Sequence, residues 1–147
     1  MSRGFTLIEL MLVIGILSVL LAITLVAINP QRQFSKANDT KRGSDVLAIL
    51  NAVGEYSANN HGAIPPVIPT GSPIAIGNGA GQINLCSALV PTYIAALPVD
   101  PQTTGSKEIT DCSSSYSINY WISQTSSGRV TVIAPNSQLI PTITATR

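Results

Sequence analysis

The sequence predicts an α+β protein. One long N-terminal α-helix has a first half fit to span a membrane, and its second half packs on a small antiparallel β-sheet head. Three observations predict this. Leu10–Ile28 carries no charged residue. Val46, Ile49, Leu50, Val53 and Tyr56 fall at i, i+3, i+4, i+7 and i+10, one apolar stripe of helical period. Tyr116, Ile118, Tyr120 and Ile122 recur at every second position, the period of a half-buried strand.

The first helical half, Phe5–Ile28, is long enough to cross a bilayer, since roughly 20 residues at 1.5 Å each cover ~30 Å of hydrocarbon. A secretory signal peptide would have a shorter apolar core followed by a small-residue cleavage site. Here the run is too long, Leu25-Val26-Ala27 is a poor site, and Glu9 stands where such a peptide is most apolar. The leader before the run holds one cationic side chain, Arg3, whereas Arg32, Lys36, Lys41 and Arg42 follow the run. Charge alone therefore leaves the orientation open.

Asn29-Pro30 interrupts the run, and a kink or local break is expected there because proline lacks a donor and clashes with the preceding turn. Helical pattern then resumes, and Phe34 and Ala37 begin a similar stripe a few turns before Val46–Tyr56. Asp39, Lys41, Arg42, Asp45 and Glu55 lie mainly off it. Gly62 is the expected cap, and Pro65-Pro66 prevents continuation. If unbroken, Phe5–Asn60 would be ~84 Å long, too long for one small domain to bury both halves.

Ile64–Gly81 is rich in proline and glycine and reads as loop. Leu85–Tyr93 reads as a short helix or turn, and Ala96–Pro101 as extended chain ending in a turn. Tyr116–Ser123 is a strand, Gln124–Gly128 a turn and Arg129–Ala134 the hairpin partner. Leu139–Thr144 adds an edge strand, with Pro141 confining it to the edge. The boundaries that follow are a leader at 1–4, a membrane or polymerisation half at 5–30, an amphipathic half at 31–61 and a globular head at 62–147.

Composition narrows the function. With 8 basic and 7 acidic residues there is neither a broad basic face for nucleic acid nor an acidic tail. Charged residues make up 10% of the chain, against about 25% in ordinary domains. From Gly62 onward the charges are Asp100, Lys107, Glu108, Asp111, Arg129 and Arg147. Such a surface is packed against copies of itself, covered by sugar, or simply neutral. No serine or cysteine nucleophile has a base in recognisable context, and His61 beside Gly62 reads as a solvated cap residue. No phosphate loop follows a strand, so an enzyme is not expected. Asn38-Asp39-Thr40 fits a glycosylation acceptor pattern, one common by chance.

Glu9 poses the sharpest question. A carboxylate in an apolar span costs roughly 2.5–3.5 kcal/mol or more at the centre of a membrane helix, and marks function by default. Gly4-Phe5-Thr6-Leu7-Ile8-Glu9, running at once into the apolar segment, resembles the processing signal of type IV pilins and of the pilin-like proteins of type II secretion and DNA-uptake systems. The resemblance covers residues 1–60. Leu97-Pro98-Val99-Asp100-Pro101 ahead of an aromatic strand also looks like the head of major pilin-like subunits.

The resemblance implies cleavage between Gly4 and Phe5 by a prepilin peptidase, N-methylation of Phe5, and a leader inside with the head outside. It further implies that the amine of Phe5 on one subunit meets Glu9 of its neighbour and sets register in a fibre. Physics supplies reasons. Glycine lets the peptidase approach the backbone, and an ion pair in low dielectric is far cheaper than a lone carboxylate. The alternative is a Glu9 that reaches the headgroups or stabilises its own helix N-terminus. Gly15 and Pro30 bracket the zone where family members lose regular helix on assembly, although both are ordinary membrane-helix residues as well.

Cys86 and Cys112 allow one intramolecular pairing. An extracytoplasmic head makes a disulfide the expectation, with two free thiols as the alternative. Asp100, Glu108 and Asp111 share one loop and could hold calcium, although their spacing matches no defined signature. Solvated loop charges are the plainer reading. No other metal or cofactor is expected.

Together these readings describe a structural subunit of a type IV pilus-like filament. Alternatives are a minor pilin or pseudopilin of a secretion or DNA-uptake system, or an anchored binding module that never polymerises. The implied partners are other subunits in a homopolymer, the prepilin peptidase/methylase, an inner-membrane assembly platform and membrane lipid. The implied location is the inner membrane, single-pass with the head outside, and then an extracellular filament.

Overall fold

The computed structural model describes residues 4–105 and 107–147, so Met1–Arg3 of the expected leader lie outside the described residues. The chain divides into two compact units, residues 1–35 and 36–147.

In the first unit α1 spans Leu7–Ile28, 22 residues of which none is buried. At 1.5 Å per residue it covers about 33 Å, enough for the hydrocarbon layer. It runs unbroken through Gly15 in the single chain, whereas the loss of regular helix that the resemblance implies concerns the assembled fibre. The break comes at Asn29, whose φ of 47° puts it in the left-handed region, which asparagine tolerates better than most residues. α2, Pro30–Asn59, starts immediately after it. Proline suits that first position because its missing N–H would be unpaired anyway. The Asn29 side-chain oxygen accepts from the N–H of Arg32 at 3.3 Å. One asparagine thus ends a helix and caps the next.

In the second unit α2 contributes Val46, Ile49, Leu50, Ala52 and Val53 to the core, while Tyr56 packs edge-on against Tyr93 with ring centroids 5.3 Å apart. The stripe does not continue through Phe34, which is 68% exposed. It continues through polar residues. Stepping back from Val46 by three or four places reaches Arg42 and then Asp39, both buried. At the helix end His61 takes a left-handed φ of 54°, and the N–H of Gly62 closes onto the carbonyl of Ser57 at 2.9 Å, satisfying an orphan acceptor.

The sheet is antiparallel with strand order β1 (Ile74–Gly77), β2 (Ser117–Gln124), β3 (Val130–Ala134), β4 (Ile143–Thr146). Ile76, Ile118, Tyr120, Ile122, Val130, Val132 and Ala134 join the α2 stripe in one core. Two expectations need correction. β1 lies inside the stretch read as loop. It is four residues long and begins after Pro73, too short to show a period of its own, and exists because β2 pairs with it. The last strand is also displaced from 139–144 to Ile143–Thr146. The N–H groups of Gln138 and Leu139 are spent on the carboxylate of Asp39 and not on a ladder. A short helix, α3 (Cys86–Leu89), carries Cys86, which is disulfide-bonded to Cys112.

Candidate functional site: an apolar helix and its carboxylate

Thr6 is extended, with ψ 152°, and sits at the N-cap of α1. Its hydroxyl accepts from the Glu9 N–H at 3.3 Å, while its own N–H and hydroxyl donate to Glu9 Oε2 at 2.8 and 2.7 Å. This reciprocal capping box satisfies N–H groups that a helix start otherwise leaves unpaired. The helix dipole adds to it, because an acidic residue in the first turn faces the positive end. Within the single chain, then, Glu9 stabilises its own helix N-terminus. Among the described residues it meets no cation, and the Phe5 nitrogen is here a peptide nitrogen.

Glycine at position 4 is not needed by the chain itself. A Cβ there meets nothing within 4 Å, and the same holds at Gly15. Phe5 is 89% exposed, and Leu7, Ile8, Leu10, Met11 and Leu12 are each exposed by 60% or more. This surface belongs to a helix long and apolar enough to cross a membrane.

The matched sequence features are those of known proteins. Residues 1–25 match the model of the prokaryotic N-terminal methylation motif. The N-terminal segment of the chain is thus similar to that of proteins carrying this motif. A 60-residue stretch is 44% identical to type II secretion system core protein G of Escherichia coli (strain K12), covering 41% of this chain and 40% of that protein. The likeness thus spans less than half the length of the relative. No solved structure matches the chain.

The head holds a second constellation that sequence reasoning missed. Arg42, 0% exposed, donates through Nε and Nη2 to the two oxygens of Asp100 at 2.7 and 3.1 Å, and through Nη1 to Asp39 at 2.9 Å. Its Nη2 also reaches Gln102 Oε1 at 2.7 Å. Asp45 accepts from Tyr120 Oη at 2.8 Å and from Lys41 at 3.0 Å. Burial pushes the Asp39 carboxyl up, but the N–H groups of Leu139 and Gln138 and the Arg42 guanidinium outweigh it and hold it below the usual carboxylate range. The Asp100 carboxylate, aided by Asp39, outweighs burial and holds Arg42 more firmly protonated. Burial and the Asp45 carboxylate raise the Tyr120 hydroxyl far above its ordinary value.

The calcium candidates are not brought together, and the described residues include no group of three or more metal-binding side chains. Asp100 is no solvated loop charge. It is 1% exposed and taken by Arg42. Asp111 is exposed and accepts from the Ser113 and Ser114 hydroxyls and the Ser113 N–H, which hold its carboxyl at about 2. Glu108 is exposed. The missed signal was legible, because extending the helical period of the α2 stripe backward lands on Arg42 and Asp39.

Proposed function

We propose that this chain is the structural subunit of a type IV pilus-like filament. A prepilin peptidase cleaves after Gly4, the new amine of Phe5 is methylated, and subunits polymerise through α1. The observation that carries the reading is the pairing of an apolar helix with no buried residue and a carboxylate whose hydrogen-bond partners among the described residues are local. Cleavage after Gly4 would leave the capping box intact, because it uses Thr6 to Glu9 alone. It would also place a cationic amine, of ordinary pKa near 8, one residue ahead of the N-cap. A neighbour's amine then meets a Glu9 already oriented by its own helix.

In this reading the chain is structural and not catalytic, and calcium plays no part in it. Residues 5–30 hold the subunit in the inner membrane with the head outside, and the filament later becomes extracellular. The relative named for type II secretion supports a second reading, a pseudopilin of a secretion fibre, built on the same helix.

Glu9→Leu tests the first reading. It removes the membrane penalty, so as much or more subunit resides in the membrane. It also removes the neighbour's ion partner, so electron micrographs show fewer or irregular filaments. Filaments of normal number and regularity would sink the register role.

A further inference from the structure

We propose that the head carries a binding site for a neutral saccharide, centred on Asn119. The site is a depression of about 400 Å³ lined by Asp100, Gln102, Thr103, Asn119, Asn136 and Ser137. Every lining residue is polar.

The backbone is irregular where Asn119 enters. Ala75 pairs with Trp121 and Gly77 with Ser117, so three residues of β2 stand opposite Ile76 alone. Bulges of this kind re-aim a side chain and gather beside functional sites. Asn119 itself has φ 59°, the left-handed region, which a strand residue other than glycine rarely adopts. Its amide donates to Thr103 Oγ1 at 2.8 Å, which fixes the side chain and leaves its carbonyl oxygen as an acceptor.

The charge state of the wall selects the ligand. Asp100 is buried and both its oxygens are taken by Arg42, so it offers no open carboxylate to a cation. Arg42 is fully buried and offers no open cation to a phosphate. What remains is amide and hydroxyl. Gln102 commits its oxygen to Arg42 and keeps its NH2 as donors. Ser137 has a buried hydroxyl with no partner among the described residues, and such groups are uncommon and ask for one. Side-chain amides set a donor beside an acceptor, the pattern that adjacent sugar hydroxyls, each donor and acceptor, complete. With no aromatic ring among the lining residues to stack on a sugar face, binding is weak, with Kd on the order of 1 mM. The proposal is independent of whether the chain polymerises.

The test is NMR titration of the full chain in detergent micelles. The probes are the methyl glycosides of galactose, glucose and N-acetylglucosamine, and the signals are the side-chain amides of Gln102, Asn119 and Asn136. At least one glycoside gives saturating shifts at these amides. Asn119→Gly keeps the left-handed backbone, since glycine adopts it freely, and weakens binding at least tenfold. Asn136→Ala, at an exposed position, weakens it severalfold. The proposal is overturned if no glycoside gives saturating shifts, if Asn119→Gly binds as tightly as the parent, or if calcium chloride alone produces the shifts.

Discussion

Two carboxylates measure the difference between the two units of this chain. Asp100 in the head is satisfied by a guanidinium 58 positions away, itself fully buried. Among the described residues, Glu9 in α1 is satisfied by a threonine three positions away, on a helix with no buried residue. The head builds a core inside its own chain and pairs the buried Arg42 with Asp39 and Asp100. The N-terminal unit is finished only locally, and its apolar surface demands something outside the chain. The same physics applied to both gives a closed fold in one case and an uncovered apolar surface in the other.

The largest expected effect falls on the unfinished unit. Gly4→Leu leaves the fold of the chain untouched, since a Cβ at that position meets nothing within 4 Å. It blocks cleavage completely if a peptidase must approach this backbone. Mass spectrometry of the assembled protein decides the matter. An intact Met1–Gly4 in wild-type filaments would remove the processing step from the proposal.

In the finished unit the largest loss comes from Arg42→Ala. It strands Asp39 and Asp100, both buried, without their cation. Removing one partner of a buried pair costs about 3–5 kcal/mol, read as a lower denaturation midpoint of the head. Membrane insertion through α1 stays normal. An unchanged midpoint would mean that the network is ornamental.

Cys112→Ser sharpens the contrast at a similar or smaller magnitude. The bond to Cys86 closes a 26-residue separation, and the chain-entropy model assigns about 3–4 kcal/mol to such a closure. Non-reducing peptide mapping of the native protein recovers the two cysteines in one linked species. The variant lowers head stability and leaves insertion intact. Recovery of both as free thiols would refute the pairing.

What was legible in the sequence follows the same division. α1, the 46–56 stripe and β2 repeat with a period, and the period survives without knowledge of the partner. The burial of Arg42 and Asp39 was legible in the period of α2, but the pairing of Arg42 with Asp100 was not, because it joins positions 58 apart. β1 was illegible because four residues after a proline take their strand geometry from β2 and not from their own propensity. The shift of β4 was illegible for a related reason. Asp39, across 99 positions, took the N–H of Gln138 that a longer strand would have used. The Thr6–Glu9 box was legible in its spacing, since an N-cap threonine three places before a glutamate is a helix-start signature. The family reading drew attention to the neighbour's amine instead.

The smallest expected effect is the acid response of the head. Asp39 has its carboxyl held below its ordinary value of 3.8. A carboxyl lowered in the folded state adds stability that is fully present above the unfolded value and is lost as pH falls through the folded one. The head therefore keeps its melting temperature from neutral pH down to about pH 5 and loses it progressively below about pH 4. The loss begins locally, because the N–H groups of Gln138 and Leu139 are held by that carboxylate. Hydrogen exchange at these two amides accelerates before exchange in β2 does. Asp39→Asn flattens the acid response and leaves both amides fast at neutral pH. α1 has no such long-range carboxylate contact, so its helical signal in micelles is insensitive to Asp39→Asn. Should Gln138 and Leu139 stay protected at pH 3 while β2 exchanges, the carboxylate clamp is not what holds that segment.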